Sequence, residues 1–197
     1  ATTIRARQYI TATSTWTPAT EATFSVGTVP ASAANLVVSE IMYHPNDPSP
    51  AETAAGFNNP NMFEYLEVMN AGSSWIDLSA VTFSSAFAFT WPAGNPGTRV
   101  LAPGERAVIV GHEGAFLFRY APSGIKIAGV FDGNLSNSGE RIVITGAGGT
   151  IRDFTFDDDA PWPLEPDTGG YSLVLNNPAG NPDHSAPLNW RSSFEVN

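Results

Sequence analysis

The sequence predicts an all-β protein, a sandwich of short strands with long loops and at most one short helix. Three observations predict it. Short apolar runs rich in Val, Ile, Phe and Thr recur along the 197 residues, as they do where strands bury one face of a pleat. Gly (18) and Pro (16) are spread over the whole chain and punctuate those runs, which marks turns rather than one linker. The spacing of the runs, with a turn signal between most neighbours, argues for a sandwich over βαβ units.

In chain order, residues 3–10 and 21–26 read as two strands with Ser14–Pro18 as the turn between them. A two-stranded hairpin is marginal in water, so residues 1–27 are expected to be the remnant of a preceding module. Residues 28–35, Thr-Val-Pro-Ala-Ser-Ala-Ala-Asn, are small, polar and proline-bearing, the composition of a linker. Residues 36–197 are then the main domain. In its first strand Val37, Ser39, Ile41 and Tyr43 alternate with Leu36, Val38, Glu40 and Met42 before Pro45 ends it. The second, 63–70, carries Glu64 and Glu67, whose odd spacing sends them to opposite faces unless a bulge intervenes, with Glu40 placed to sit beside one of them. Further strands are expected at 80–84, 86–90, 98–101, 106–110, 126–131, 140–145, 150–156 and 171–175. Only 113–120 looks helical. Two long insertions, 46–61 and 157–170, are of the length that is usually functional or mobile.

Composition narrows the function classes. There is no cysteine, which excludes disulfides, thiolate metal sites and cysteine nucleophiles. Lys+Arg is 9 against Asp+Glu 19, and one of the nine is Lys. That balance disfavours nucleic acid and anionic membrane as partners. No run of 18 apolar residues or signal-peptide pattern is present, so no membrane insertion is expected, and localisation signals are expected to lie outside this stretch.

Four blocks carry a resemblance: Val38-Ser-Glu-Ile41, Glu64-Tyr-Leu-Glu-Val-Met-Asn70, Leu101-Ala-Pro-Gly104 and Leu135-Ser-Asn-Ser-Gly-Glu140. In this order they resemble the lamin tail domain, a small immunoglobulin-like β-sandwich. Asp158-Asp-Ala-Pro-Trp-Pro163, Gly170-Tyr-Ser-Leu-Val-Leu175 and Asn189-Trp-Arg-Ser192 look like an extension found in large secreted bacterial proteins that carry it. Residues 1–27 resemble the last two strands of the sandwich that ends chitobiase-type glycosidases. Where the family shows Leu-Ser-Gly-Trp, this chain has Leu78-Ser-Ala-Val81, and Phe83 or Trp91 is expected to fill the missing volume. The resemblance implies a non-catalytic accessory domain of a secreted or cell-surface protein, serving binding or domain spacing, with a protein or polysaccharide as partner. It leaves the oligomeric state open.

Candidate sites follow from the residues. Glu40, Glu64 and Glu67 are the obvious carboxylates, but paired acid/base work needs an open cleft between two of them; pairing with Arg99, Arg106, Arg141 or a backbone edge is the expected role. Asp157, Asp158, Asp159 and Asp167, with Glu165 nearby, are the candidate Ca²⁺ ligands, because a hard cation takes several carboxylate and carbonyl oxygens. They lack the Asp-x-Asp-x-Asp-Gly pattern, so an acidic turn is the competing account. Trp162, held between two prolines, is the candidate stacking platform for sugar or a partner chain, with a ring laid over the sandwich end to close the core as the competing account; Trp162 and Asp167 form the candidate binding pair of a calcium-dependent or carbohydrate-binding alternative. His44, His112 and His184 share no ligand spacing.

Overall fold

Alternating apolar residues build two sheets whose inner faces share one core. The computed structural model describes residues 2–24, 27–93, 96–121 and 123–194. Among these, a six-stranded sheet runs in the order Lys126–Val130, Arg106–Val110, Tyr65–Asn70, Leu36–Met42, Leu173–Leu175 and Trp190–Ser192. A five-stranded sheet runs in the order Asp132–Gly133, Phe87–Thr90, Thr82–Ser85, Glu140–Gly146 and Gly149–Phe156. Leu36, Ile41, Leu66, Val68 and Ile109 of the first meet Phe83, Phe87, Ile142, Ile144 and Phe156 of the second in a single buried cluster. Phe87 stacks on Phe83 at 5.5 Å and on Phe131 at 4.5 Å; each ring withdrawn from water stabilises the fold by about 2 kcal/mol. Val81 is buried, and Phe83 and Trp91 lie 6.0 Å apart in the same core.

The sheet also contains one crossover of the kind that the run spacing argues against. Arg106–Val110 and Lys126–Val130 are parallel, and such a pair needs a long connection, supplied here by the helix Glu113–Tyr120. Its start is fixed by His112, whose Nδ1 accepts from the Ala115 amide at 3.1 Å. Phe116 then packs on Met42, Tyr65, Val108 and Val110. The helix thus covers one half of the outer face of the six-stranded sheet.

Several expectations change. Trp16 lies in a strand rather than a turn: Tyr9–Ile10 pairs with Thr15–Trp16, the turn moves to residues 11–14, where Ser14 has φ 53°, and Trp16 gains Tyr9 at 5.0 Å and the Arg7 guanidinium at 4.6 Å. Thr2–Ala6 pairs with Thr20–Phe24, and among the described residues neither hairpin ladder joins the two large sheets. Within the stretch read as linker, Val29–Pro30 is a strand beside Ile76–Asp77. Proline fits there because that strand is the edge of its small sheet and needs no donor. Asp132–Gly133 adds a two-residue edge strand in which Asp132 pairs with Ala88.

The two long insertions are structured and meet each other. In the first, Ser49 and Glu52 form a capping box that opens the helix Pro50–Ala54. Glu52 then takes a bidentate pair from Arg119 at 2.7 and 2.9 Å, with the guanidinium 3.4 Å from the Phe63 ring centre. The second contains a short helix, Glu165–Thr168. They touch where Asn46 packs on Gly170, whose φ is +68° and where a Cβ would clash with the Asn46 amide nitrogen, and just ahead of the first insertion His44 Nδ1 lies 3.0 Å from Asp167 Oδ1.

Candidate functional site

The strand carboxylates turn out to be structural parts. A bulge between Val38 and Glu40 resets the pairing so that Glu40 stands opposite Glu67. Glu67 is nearly buried; its Oε1 accepts from Ser39 Oγ at 2.6 Å and Arg106 Nη1 at 3.0 Å, and burial raises its pKa. Glu40 Oε1 accepts from Tyr65 Oη at 2.6 Å and Ser172 Oγ at 2.5 Å. Glu64 precedes its strand and is fully buried. Its Oε2 accepts from the Leu135 amide at 2.7 Å, which ties two of the sequence blocks together. Of the expected arginine partners, Arg106 pairs with Glu67, whereas Arg141 pairs with Asp153.

Burial pushes the Glu64 carboxyl up to about 8, against the opposing pull of the Leu135 amide and with a contribution from Glu140. Because the folded value exceeds the unfolded one, this group's stabilisation is complete below pH about 4.5 and declines as pH rises to about 8, by up to about 5 kcal/mol. His184 slopes the other way. Its Nε2 accepts from Val38 N at 3.0 Å, and burial, then Arg152, pushes it down to about 4; its contribution is present above pH about 6.5 and falls by about 3 kcal/mol as pH drops to about 4. Glu64→Gln, which mimics the protonated acid, is expected to flatten the decline in thermal stability between pH 5 and 9. A profile parallel to that of the parent protein counts against this account.

The acidic loop does not gather its carboxylates. Asp157 Oδ1 caps the Asp159 amide at 3.1 Å, Asp167 pairs with His44, and Glu165 accepts from Ser192 Oγ at 2.7 Å. Among the described residues, no three His, Asp or Glu side chains converge on a point that could hold a metal ion. Burial, followed by the charges of Asp167, Asp158 and Asp157, raises the Tyr43 pKa. Trp162 follows the core-closing account and not the platform: it is 8% exposed and lies against Trp190 at 6.1 Å, which stacks on Phe154 at 5.9 Å. The flanking prolines lay the ring onto the core instead of presenting it. The histidines are structural as well: His112 caps a helix, His44 joins two loops and His184 closes a strand edge.

One concave polar site was not foreseen. On the half of the outer face that the helix leaves open, a groove of about 490 Å³ is lined by Glu40, Arg106, Val174, Asn177, Arg191 and Phe194, with Ser39 and Ser193 among its other walls. Register explains the assembly, since Glu67, Glu40, Val174 and Arg191 stand side by side on four successive strands. Nothing local in the sequence links them, because 151 positions separate Glu40 from Arg191.

The family model described as Lamin Tail Domain matches residues 29–181. No curated protein and no solved structure matches the chain.

Proposed function

Because the chain belongs to the lamin tail domain family, a non-enzymatic family of immunoglobulin-like interaction domains, we propose that it is a non-catalytic accessory domain of a larger secreted or cell-surface protein, serving binding or domain spacing. The observation that carries this reading is the fate of the carboxylates. Glu40, Glu64 and Glu67 each accept short hydrogen bonds that hold a bulge, a turn or a cross-strand pair, and no two of them frame an open cleft. The sequence's likeness to extensions of secreted bacterial proteins supports the extracellular setting, and the net charge of -10 speaks for partners other than nucleic acid.

The test is a panel of fluorogenic glycoside, ester and phosphate substrates. No turnover above the buffer blank is expected, and turnover abolished by Glu67→Gln would overturn the proposal. The alternative, calcium-dependent or carbohydrate binding at the acidic loop, has less support because Trp162 is buried and the Asp side chains are dispersed. Its signature is a rise in Tm with Ca²⁺ that EDTA reverses; none is expected.

A further inference from the structure

We infer that the groove over Glu40 and Arg191 is a binding site for a neutral, polyhydroxylated chain, an oligosaccharide recognised through its hydroxyl groups. This deepens the proposed function and rests on it.

The argument starts from which hydrogen-bonding groups the fold has left unused. Both bonds to Glu40, which lines the groove, fall on Oε1 and none on Oε2. Arg191 makes one hydrogen bond, from Nη1 to the Ser192 carbonyl at 2.8 Å, and has no carboxylate partner among the described residues. Its guanidinium lies 4.2 Å from the ring centre of Phe194, which is 88% exposed. Arg106 spends Nη1 on Glu67 while its side chain stays half exposed. Asn177 begins the turn Pro178–Gly180 in a left-handed conformation without capping it, so its amide is exposed and unused. An acceptor, two fixed donor forks and an amide that does both are thus held around one cavity.

Charge selects the ligand. Two carboxylates and two guanidiniums balance within and beneath the groove, although the chain as a whole carries -10. An anion would meet that surplus and Glu40, and a cation would meet two arginines. A neutral ligand whose every hydroxyl both donates and accepts satisfies Glu40 and the arginines together, and its C–H face suits the exposed Phe194 ring. The floor argues against a peptide added as a strand. Glu40 and Val174 lie on strands hydrogen-bonded on both sides, so their backbone is already paired and recognition falls to side chains.

The ¹⁵N-labelled 197-residue chain would be titrated by NMR with cellohexaose, maltohexaose, xylohexaose and chitohexaose, and in parallel with hexagalacturonate and hexaglutamate. One neutral hexasaccharide is expected to shift amides of residues 174–178 and 191–194. Arg191→Gln and Asn177→Ala should each weaken it about tenfold with Tm unchanged. The inference is overturned by silence from all four neutral sugars at about 10 mM, by stronger binding of hexagalacturonate or hexaglutamate, or by shifts confined to 157–170. Release of new reducing ends would overturn the non-catalytic reading itself, whereas absence of binding without cleavage overturns the groove alone.

Discussion

Arg119→Met is expected to destabilise the domain by about 3 to 5 kcal/mol, the cost of leaving one member of a buried ion pair without the other. The two side chains are only 10% and 7% exposed. The Arg119 fork, helped by the Ser49 contacts, lowers the Glu52 carboxyl to about 2. The stabilisation is therefore present above pH about 4.5 and is lost as pH falls toward about 2. The arginine also donates to the Asn46 carbonyl at 3.0 Å and covers Phe63, so the variant should free the 46–61 insertion before the sandwich melts. Urea unfolding at pH 7 with hydrogen exchange across 46–61 reads both effects. Adding Glu52→Gln to Arg119→Met should recover much of the loss, and an unchanged midpoint in the single variant would refute the account.

Asn70→Leu should cost about 3 kcal/mol, because it keeps volume while stranding three backbone groups. Asn70 is fully buried. Its Nδ2 donates to the Ser74 and Leu101 carbonyls at 2.8 and 2.9 Å, and its Oδ1 accepts from the Gly72 amide at 2.9 Å. Its own backbone is paired with Glu105 and Gly104. The side chain thereby clips the Leu101-Ala-Pro-Gly turn to the end of the central strand. Asn70→Asp tests the logic through pH: it keeps the acceptor, loses the donors and buries a charge, so it should be milder at pH 4 than at pH 8. Equal urea midpoints for Asn70→Leu and the parent would exclude the clip.

These two side chains show where the sequence was legible. Asn70 stood in a recognisable block, and period-two alternation gave Leu36–Met42, Arg106–Val110 and Gly149–Phe156 nearly to the residue. The Glu113–Tyr120 helix was also visible, as the one segment that looked helical, although only Ala115 and Phe116 of its apolar residues are buried and Leu117 and Phe118 are exposed. What escaped has physical reasons. A bulge adds a residue without changing composition, so parity placed Glu40 beside one of the two glutamates of the next strand without saying that it is Glu67. Two-residue strands such as Val29–Pro30 and Ile76–Asp77 are too short to show a period. Proline on both sides of Trp162 restrains the backbone, here in a turn closed by the Trp162 amide on the Asp159 carbonyl, but does not fix the side on which the ring lies. The groove depends on register among four strands, a property of pairing and not of any segment.

The placement of Leu36–Met42 also sets an order of events. On one flank it is paired to Tyr65–Asn70; on the other it waits for Leu173–Leu175, His184 on the Val38 amide, and Arg152 Nε on the Leu36 carbonyl at 3.0 Å. During vectorial synthesis a long, largely buried strand of the domain therefore emerges early with an open edge. That edge stays available to wrong partners until residues more than 130 positions later have left the ribosome. Such long-range closure makes folding slow. A chain halted before residue 173 is accordingly an aggregation hazard and not a smaller working domain.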